Sequence, residues 1–232
     1  SPIWASRPGA FAMKVGIAQV NTTVGDLDGN LGRVTEAYRR LVNEGASLVV
    51  FPELVVSGYP PRDLLFRRRF LADCRERLEG FAALTGEVPA LVGFPEDREG
   101  RPGRPAANAV AWCEQGRVRA IQAKCLLPSY DVFDEERYFE PGPKPGIVRH
   151  GDLRVGITVC EDLWYPMEEH RYHRQVDPVV QLADERPDLV VNLSASPWHR
   201  DKQAVRVDLV RRAARLCDCP VVYCNSVGGN DE

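Results

Sequence analysis

Three short apolar runs in this chain each end on a side chain able to do chemistry, and that repetition constrains the fold more than any bulk property. The run 154–159, rich in β-branched residues, reads as a buried strand and stops at Cys160, with Glu161 and Asp162 behind it. The run 47–51 stops at Pro52 and Glu53. The run 117–123 alternates and ends on Lys124. In parallel α/β architectures the carboxyl ends of strands share one edge, where loops converge and ligands bind. Where such strands are neighbours in a sheet, a thiol, a carboxyl and an ammonium group meet. Each group also has a plain reading: Cys160 as a small buried hydrophobe, Glu53 as a loop charge, Lys124 as a solvated strand end. Their recurrence at equivalent positions argues for a site.

The rest of the chain supplies further strands and the helices between them. Residues 14–20 read as a first strand, and Asn30 as the cap of a helix with Leu31, Val34, Tyr38 and Leu41 on its apolar face, closed by Gly45. Leu64, Phe70, Cys74, Leu78 and Phe81 make a second helical stripe. Residues 91–94 are a strand, and 109–113 with Glu114-Gln115-Gly116 begin a hairpin that leads to Lys124. Residues 128–146 read as a long functional loop. Helices near 176–184 and 201–216 flank a strand at 188–192, and 220–224 is a last strand. The strand–helix–strand opening and the hairpin together predict an α/β domain over 13–232 with mixed sheets, in two-layer units whose sheets pair through their helices. Residues 1–12 read as a disordered tail or a cloning remnant.

Composition narrows the partners. The 232 residues suffice for a sizeable core, and 44% apolar with 27% charged content is ordinary for a globular protein. A net charge of −3 leaves no electrostatic footprint for nucleic acid or an anionic membrane. Arg67-Arg68-Arg69 reads as a solvated helix face. No run reaches membrane-span length, and the opening lacks a basic-then-apolar signal pattern. Seven cysteines are an odd number without the density of a disulfide scaffold, and a reducing cytoplasm suits them. Cys217, Cys219 and Cys224 lack zinc spacing, so burial is expected and no metal site is assigned. His170 and His173 read as surface residues. A Cys–His dyad is the rival mechanism for Cys160, but no histidine stands at a strand end.

Several motifs together carry a family resemblance. Phe51-Pro52-Glu53-Leu54, then Lys124 with Leu126-Leu127-Pro128, then Val159-Cys160-Glu161-Asp162 resemble the Glu, Lys and Cys motifs of the nitrilase superfamily of carbon–nitrogen hydrolases. The stretches 59–64, 130–139, 192–199 and 225–232 more narrowly resemble the glutaminase domain of glutamine-dependent NAD synthetases. That resemblance implies a nitrilase-like αββα four-layer sandwich with two mixed sheets, whose closing strands are expected beyond Glu232. It also implies a homo-oligomer and an ATP-dependent synthetase portion downstream in the same polypeptide. ATP and magnesium are expected only in that portion, and no cofactor in this domain.

The resemblance assigns roles that elementary chemistry can examine. A free thiol, with a pKa of roughly 8.5, is mostly un-ionised at neutral pH, so Glu53 is cast as the base that takes the Cys160 proton. A carboxylate suits that task only if desolvated or otherwise tuned upward. Lys124, with the N–H after Cys160, would stabilise the oxyanion, and it titrates as a unit with Glu53. Glu135 resembles the second carboxylate, which holds the lysine or handles the leaving amine. For the α-amino and α-carboxyl groups of L-glutamine the resemblance offers Tyr130, Ser196 and Lys202. Glu161 counts among the substrate contacts, with Tyr59, Phe133 and Trp164 as walls. Core packing explains Tyr130 and Trp164 equally well, and a turn explains Ser196 before Pro197. The leading function is hydrolysis of glutamine to glutamate and ammonia through a Cys160 thioester, feeding amidation of deamido-NAD. The alternatives are a stand-alone amidase or N-carbamoyl hydrolase, and an interaction module with a dead site.

Overall fold

The computed structural model describes residues 13–130, 133–168, 172 and 176–229, so the tail at 1–12 and both His170 and His173 lie outside the described residues. Its strands form two sheets. In the first, β1 (Val15–Ile17), β2 (Leu48–Val50) and β3 (Ala90–Asp97) run parallel, and β4 (Ala106–Glu114) and β5 (Arg117–Ala123) extend them antiparallel, in the order β1-β2-β3-β4-β5. In the second, β6 (Gly146–His150) pairs antiparallel with β7 (Leu153–Val159), followed in parallel by β8 (Leu189–Ser194) and β9 (Val221–Asn225).

Side-chain alternation decides what each face meets. Leu48 and Val50 of β2, with Val110 and Trp112 of β4, point inward against Ile157 and Val159 of β7 and Val191 and Leu193 of β8. On the outer face of the first sheet, Val49, Val92 and Ala111 carry α1 (Leu27–Asn43) and α2 (Arg68–Ala82) through Val34, Tyr38, Leu78 and Phe81. On the outer face of the second, Val190 and Val221 carry α5 (Pro178–Asp184) and α6 (Lys202–Cys217) through Val179, Leu182 and Ala213. The layers are therefore helix, sheet, sheet, helix. Central strands buried on both faces need apolar residues throughout, which is why 48–51 and 155–159 run largely apolar rather than alternating. The two-layer units of the layout meet sheet to sheet within one chain rather than through their helices.

Several local expectations change. Asn30 is not the cap of α1: Asp26 is, its Oδ1 accepting from Gly29 N–H at 3.0 Å. Both residues are good caps, and one helical turn separates them, so the pattern alone could not choose. Asn30 instead lies buried inside the helix, its amide bonded to Thr23 and to the Val56 carbonyl at 3.1 Å. The long loop holds α3 (Glu135–Tyr138) and is followed by β6, which went unread among prolines and glycines. A last short helix, α4 (Tyr165–Glu168), follows the Cys160 turn. Arg67, Arg68 and Arg69 are exposed, as their sequence suggested.

Candidate active site

Glu53 sits in the tight turn after β2, and the fold places that turn directly across β3. A Cβ on Gly93 would come within 2.4 Å of Leu54 N and Pro52 O, so the close approach requires glycine there. Lys124 follows β5, with its N–H bonded to the Asn108 carbonyl at 2.8 Å and its carbonyl bonded by Gly142 N–H at 2.7 Å. Cys160 ends β7 with φ of 40°, a left-handed conformation disfavoured for a residue with a side chain, and opens the 3-10 turn Cys160–Leu163. Asp162 holds that turn: its carboxylate accepts from the N–H groups of Val159, Cys125 and Leu126, each at 2.9 Å. One buried acid thus pins the cysteine turn to the segment just past the lysine. Burial pushes Asp162 up to about 6, against the pull of those three N–H groups.

The charged groups then converge. Lys124 Nζ lies 2.7 Å from Glu53 Oε1 and 3.0 Å from both oxygens of Glu135, which α3 delivers. Tyr59 donates to Glu135 Oε1 at 3.0 Å, and Ala195 N–H donates to Glu53 Oε2 at 2.8 Å. Asn108 Nδ2 donates to Glu53 Oε1 at 2.7 Å and to Glu135 Oε2 at 3.3 Å. Burial by itself would depress the Lys124 ammonium, but the charges of Glu135 and Glu53 outweigh it and hold it well above its ordinary value. Burial lifts Glu135 to about 7, with Lys124 opposing and the Glu53 charge adding. The Cys160 thiol is pushed well above its ordinary range by burial and then by the Glu53 charge, with Lys124 opposing. At rest it is a protonated thiol beside an acid and an ammonium.

A cavity of about 950 Å³ opens over this edge, with Tyr59, Phe133, Glu135, Ala195, Ser196 and Tyr223 in its wall. Burial lifts the phenols of Tyr59 and Tyr223; the charges of Glu135 and Glu53 add to the first shift, and a negative charge on Cys160 adds to both. Cys160 itself is 6% exposed. Of the expected substrate contacts, Tyr59, Phe133 and Ser196 line the cavity, whereas Tyr130, Glu161, Trp164 and Lys202 do not. Those four gather with one another beside the cysteine turn. Tyr130 and Tyr172 both donate to the Glu161 carboxylate, and Lys202 Nζ lies 5.2 Å from the Trp164 ring centroid. Tyr130 also meets Phe133 edge-on, with centroids 5.7 Å apart. Ser196 lies in an irregular segment rather than a turn, its backbone bonded to Asn225 and Arg206, and it lines the cavity.

Sequence reasoning missed Asn108 and the bracing role of Asp162. The one signal for Asn108 was an amide inside an apolar strand, on the inward face it shares with Val110 and Trp112. Among the described residues no group of three or more His, Cys, Asp or Glu side chains is arranged to hold a metal, and no helix is long and apolar enough to cross a membrane. Cys217 and Cys219 pack between α6 and the second sheet, and Cys224 lies between the sheets.

Comparison with known proteins bears on this arrangement. Residues 14–232 match the model of the family described as carbon-nitrogen hydrolase. The chain belongs to that family. It is 41% identical to the glutamine-dependent NAD(+) synthetase of Thermotoga maritima, covering 95% of this chain and 36% of the relative. For the enzyme of the same name from Synechocystis sp. the identity is 37%, covering 94% and 40%. The chain therefore spans less than half the length of these curated relatives. Among solved structures, a glutamine-dependent NAD+ synthetase from Acinetobacter baumannii in complex with ADP superposes with a TM-score of 0.84 at 30% identity, covering 95% of this chain and 39% of that one. An amidase from Nesterenkonia sp. shares the fold, with a TM-score of 0.76 at 24% identity and coverage of 94% and 77%. The nitrilase-like sandwich is thus the fold on both counts.

Proposed function

We propose that this chain is the ammonia-generating part of a glutamine-dependent NAD synthetase, hydrolysing the side-chain amide of L-glutamine. The observation that carries the reading is the single buried ammonium of Lys124 shared by Glu53 and Glu135 beside the Cys160 thiol. The relatives named above supply the substrate class.

Counting acceptor sites separates the two acids. Glu135 accepts from Tyr59, from Asn108 and from Lys124 at both oxygens, which engages it fully. Glu53 Oε1 accepts from Lys124 and Asn108, but among the described residues Oε2 accepts only from Ala195 N–H, leaving a lone pair for a proton. Glu53 is accordingly the base and Glu135 the group that holds Lys124. In the first step the Cys160 proton passes to Glu53 as Sγ bonds to the amide carbon. The oxyanion so formed is met by Lys124 and the Glu161 N–H. Glu53 then returns the proton to the amide nitrogen, the C–N bond breaks, ammonia leaves and a thioester remains. Water, deprotonated by Glu53, adds to the thioester carbon. The C–S bond breaks, the thiol regains its proton and glutamate leaves.

On the same reading Ser196, Tyr59 and Phe133 contact the substrate from the cavity, and Tyr130, Glu161, Trp164 and Lys202 from the cysteine side. The chain works in the cytoplasm, within a homo-oligomer, joined to a synthetase portion in which ATP and magnesium are needed to amidate deamido-NAD. Ammonia release from L-glutamine, with mass-spectrometric capture of an electrophilic glutamine analogue on Cys160, tests the proposal. Turnover of other small amides but not of glutamine would point to a stand-alone amidase. No turnover and no capture would leave a non-enzymatic module.

A further inference from the structure

Two buried carboxylates share one ammonium, so the cluster carries a surplus negative charge when both are ionised. Acids placed this way ordinarily settle the imbalance by retaining a proton on one of them. A base for Cys160 cannot be that protonated acid. Something must therefore favour the ionised form on the Glu53 side, and Lys124 alone is divided between the two.

The geometry points to Asn108 as a positioning residue for this acid pair: its amide nitrogen, buried between Glu53 and Glu135, donates to both and, by the shorter bond, keeps Glu53 an acceptor while Cys160 gives up its proton. This rests on the hydrolase reading above. Asn108 is fully buried, with Nδ2 at 2.7 Å from Glu53 Oε1 and 3.3 Å from Glu135 Oε2. A primary amide nitrogen has two hydrogens and accepts none, so it steadies both carboxylates and cannot relay a proton between them. The opposite orientation would aim the amide oxygen at two acids, which fixes the assignment. The backbone is equally fixed. Asn108 pairs with Pro95 of β3, and its carbonyl accepts from Lys124 N–H at 2.8 Å, so one residue sets both the lysine's start and the acids' separation. Its Oδ1, also buried, has no hydrogen bond from a described protein group. An amide placed only for packing would not leave its acceptor side unmatched at a cost of about 1–3 kcal/mol. The titratable groups that share the cluster are Glu53, Glu135, Lys124, Tyr59, Cys160 and Glu161, with Tyr223 on the cavity side.

The test is the pH dependence of Cys160 alkylation by iodoacetamide, read by mass spectrometry on the Cys160 peptide, in the wild-type protein and in Asn108→Asp, Asn108→Ala and Asn108→Ser. Ammonia release is measured in parallel. Asn108→Asp replaces a double donor with a further acid of the same shape, and the acid limb of alkylation is expected to move up by about one pH unit or more. Asn108→Ala should move it in the same direction, and Asn108→Ser, which retains one neutral donor, by less. Should Asn108→Asp fail to fold, the other two variants carry the comparison. A slower reaction whose limb stays at the wild-type pH in every folded variant would overturn the proposal and leave Asn108 a packing residue. A shifted limb in a protein that releases no ammonia from glutamine would instead retire the substrate assignment and keep the positioning role.

Discussion

Two buried carboxylate clusters in this protein obey opposite rules. Glu114, at the far end of β4 from Asn108, is 3% exposed and accepts from Trp112 Nε1 at 3.0 Å and from Arg119, with His150 Nδ1 at 2.8 Å. One acid there has an arginine as its own partner. Burial alone would raise it, but the bonds from Trp112 and Arg119 and the charges of His150 and Arg119 hold it below the usual carboxylate range. At the other end two acids face one ammonium, and Glu135 is lifted to about 7 by burial, with the Glu53 charge adding and Lys124 opposing. The same residue type keeps its charge beside a guanidinium of its own and is drawn toward the neutral form where two acids share one ammonium.

The contrast can be broken most decisively at the thiol. Cys160→Ala should reduce ammonia release by at least about 10³-fold while leaving the melting temperature close to wild type, since it removes only the attacking atom. Appreciable residual turnover would mean that the acid-rich cluster serves another nucleophile. Lys124→Met should cost both activity and roughly 3–5 kcal/mol of stability in denaturant unfolding, because two buried acids lose the ammonium they share. Next, the Glu114 and Glu135 sites should differ under one assay. Glu114→Gln is expected to destabilise by about 1–3 kcal/mol with kcat/KM unchanged, whereas Glu135→Gln should lower kcat/KM.

The pH dependence of stability sharpens the point with opposite signs. Glu135 is raised in the folded state, so between the ordinary carboxylate value and about 7 the folded chain holds a proton that the unfolded chain has lost. Its contribution to stability is present at low pH and is lost as pH rises through that window. Glu114 is depressed, so its contribution is present above the ordinary carboxylate value and is lost as pH falls through its lower folded value. Denaturant midpoints measured across pH should show the first slope reduced in Glu135→Gln, with Asp162, lifted to about 6, supplying part of the remainder, and the second slope reduced in Glu114→Gln. A single common slope in both variants would dissolve the distinction. The smallest expected effect is that of Arg69→Ala at the exposed Arg69–Asp73 pair, within about 1 kcal/mol, as for solvated ion pairs elsewhere.

Much of the site could be read from residue order, and the parts that could not share a cause. Glu53, Lys124 and Cys160 each follow a strand within three residues, and strand ends are visible because an apolar run stops. Glu135 came from motif resemblance alone. Asn108 and Asp162 were invisible as partners, because their bonds cross from β4 to the turn after β2, and from the Cys160 turn to the segment after β5. No local pattern encodes a contact between elements tens of residues apart. The grouping of Tyr130, Glu161, Trp164 and Lys202 apart from the open cavity was likewise beyond a reading of types and spacing.

The residue order by itself determined which stretches become doubly buried strands, which face of each helix turns inward, and that a thiol, an acid and an ammonium stand at strand ends. Those outcomes depend on periodicity and on the chemistry of single residues. Tertiary structure alone decided that two acids share one lysine, that an amide lies between them, and that Asp162 ties the cysteine turn to the lysine segment. The reason is that the charge state of a buried group is set by its desolvation and by the charges packed around it, and both exist only once distant segments have packed.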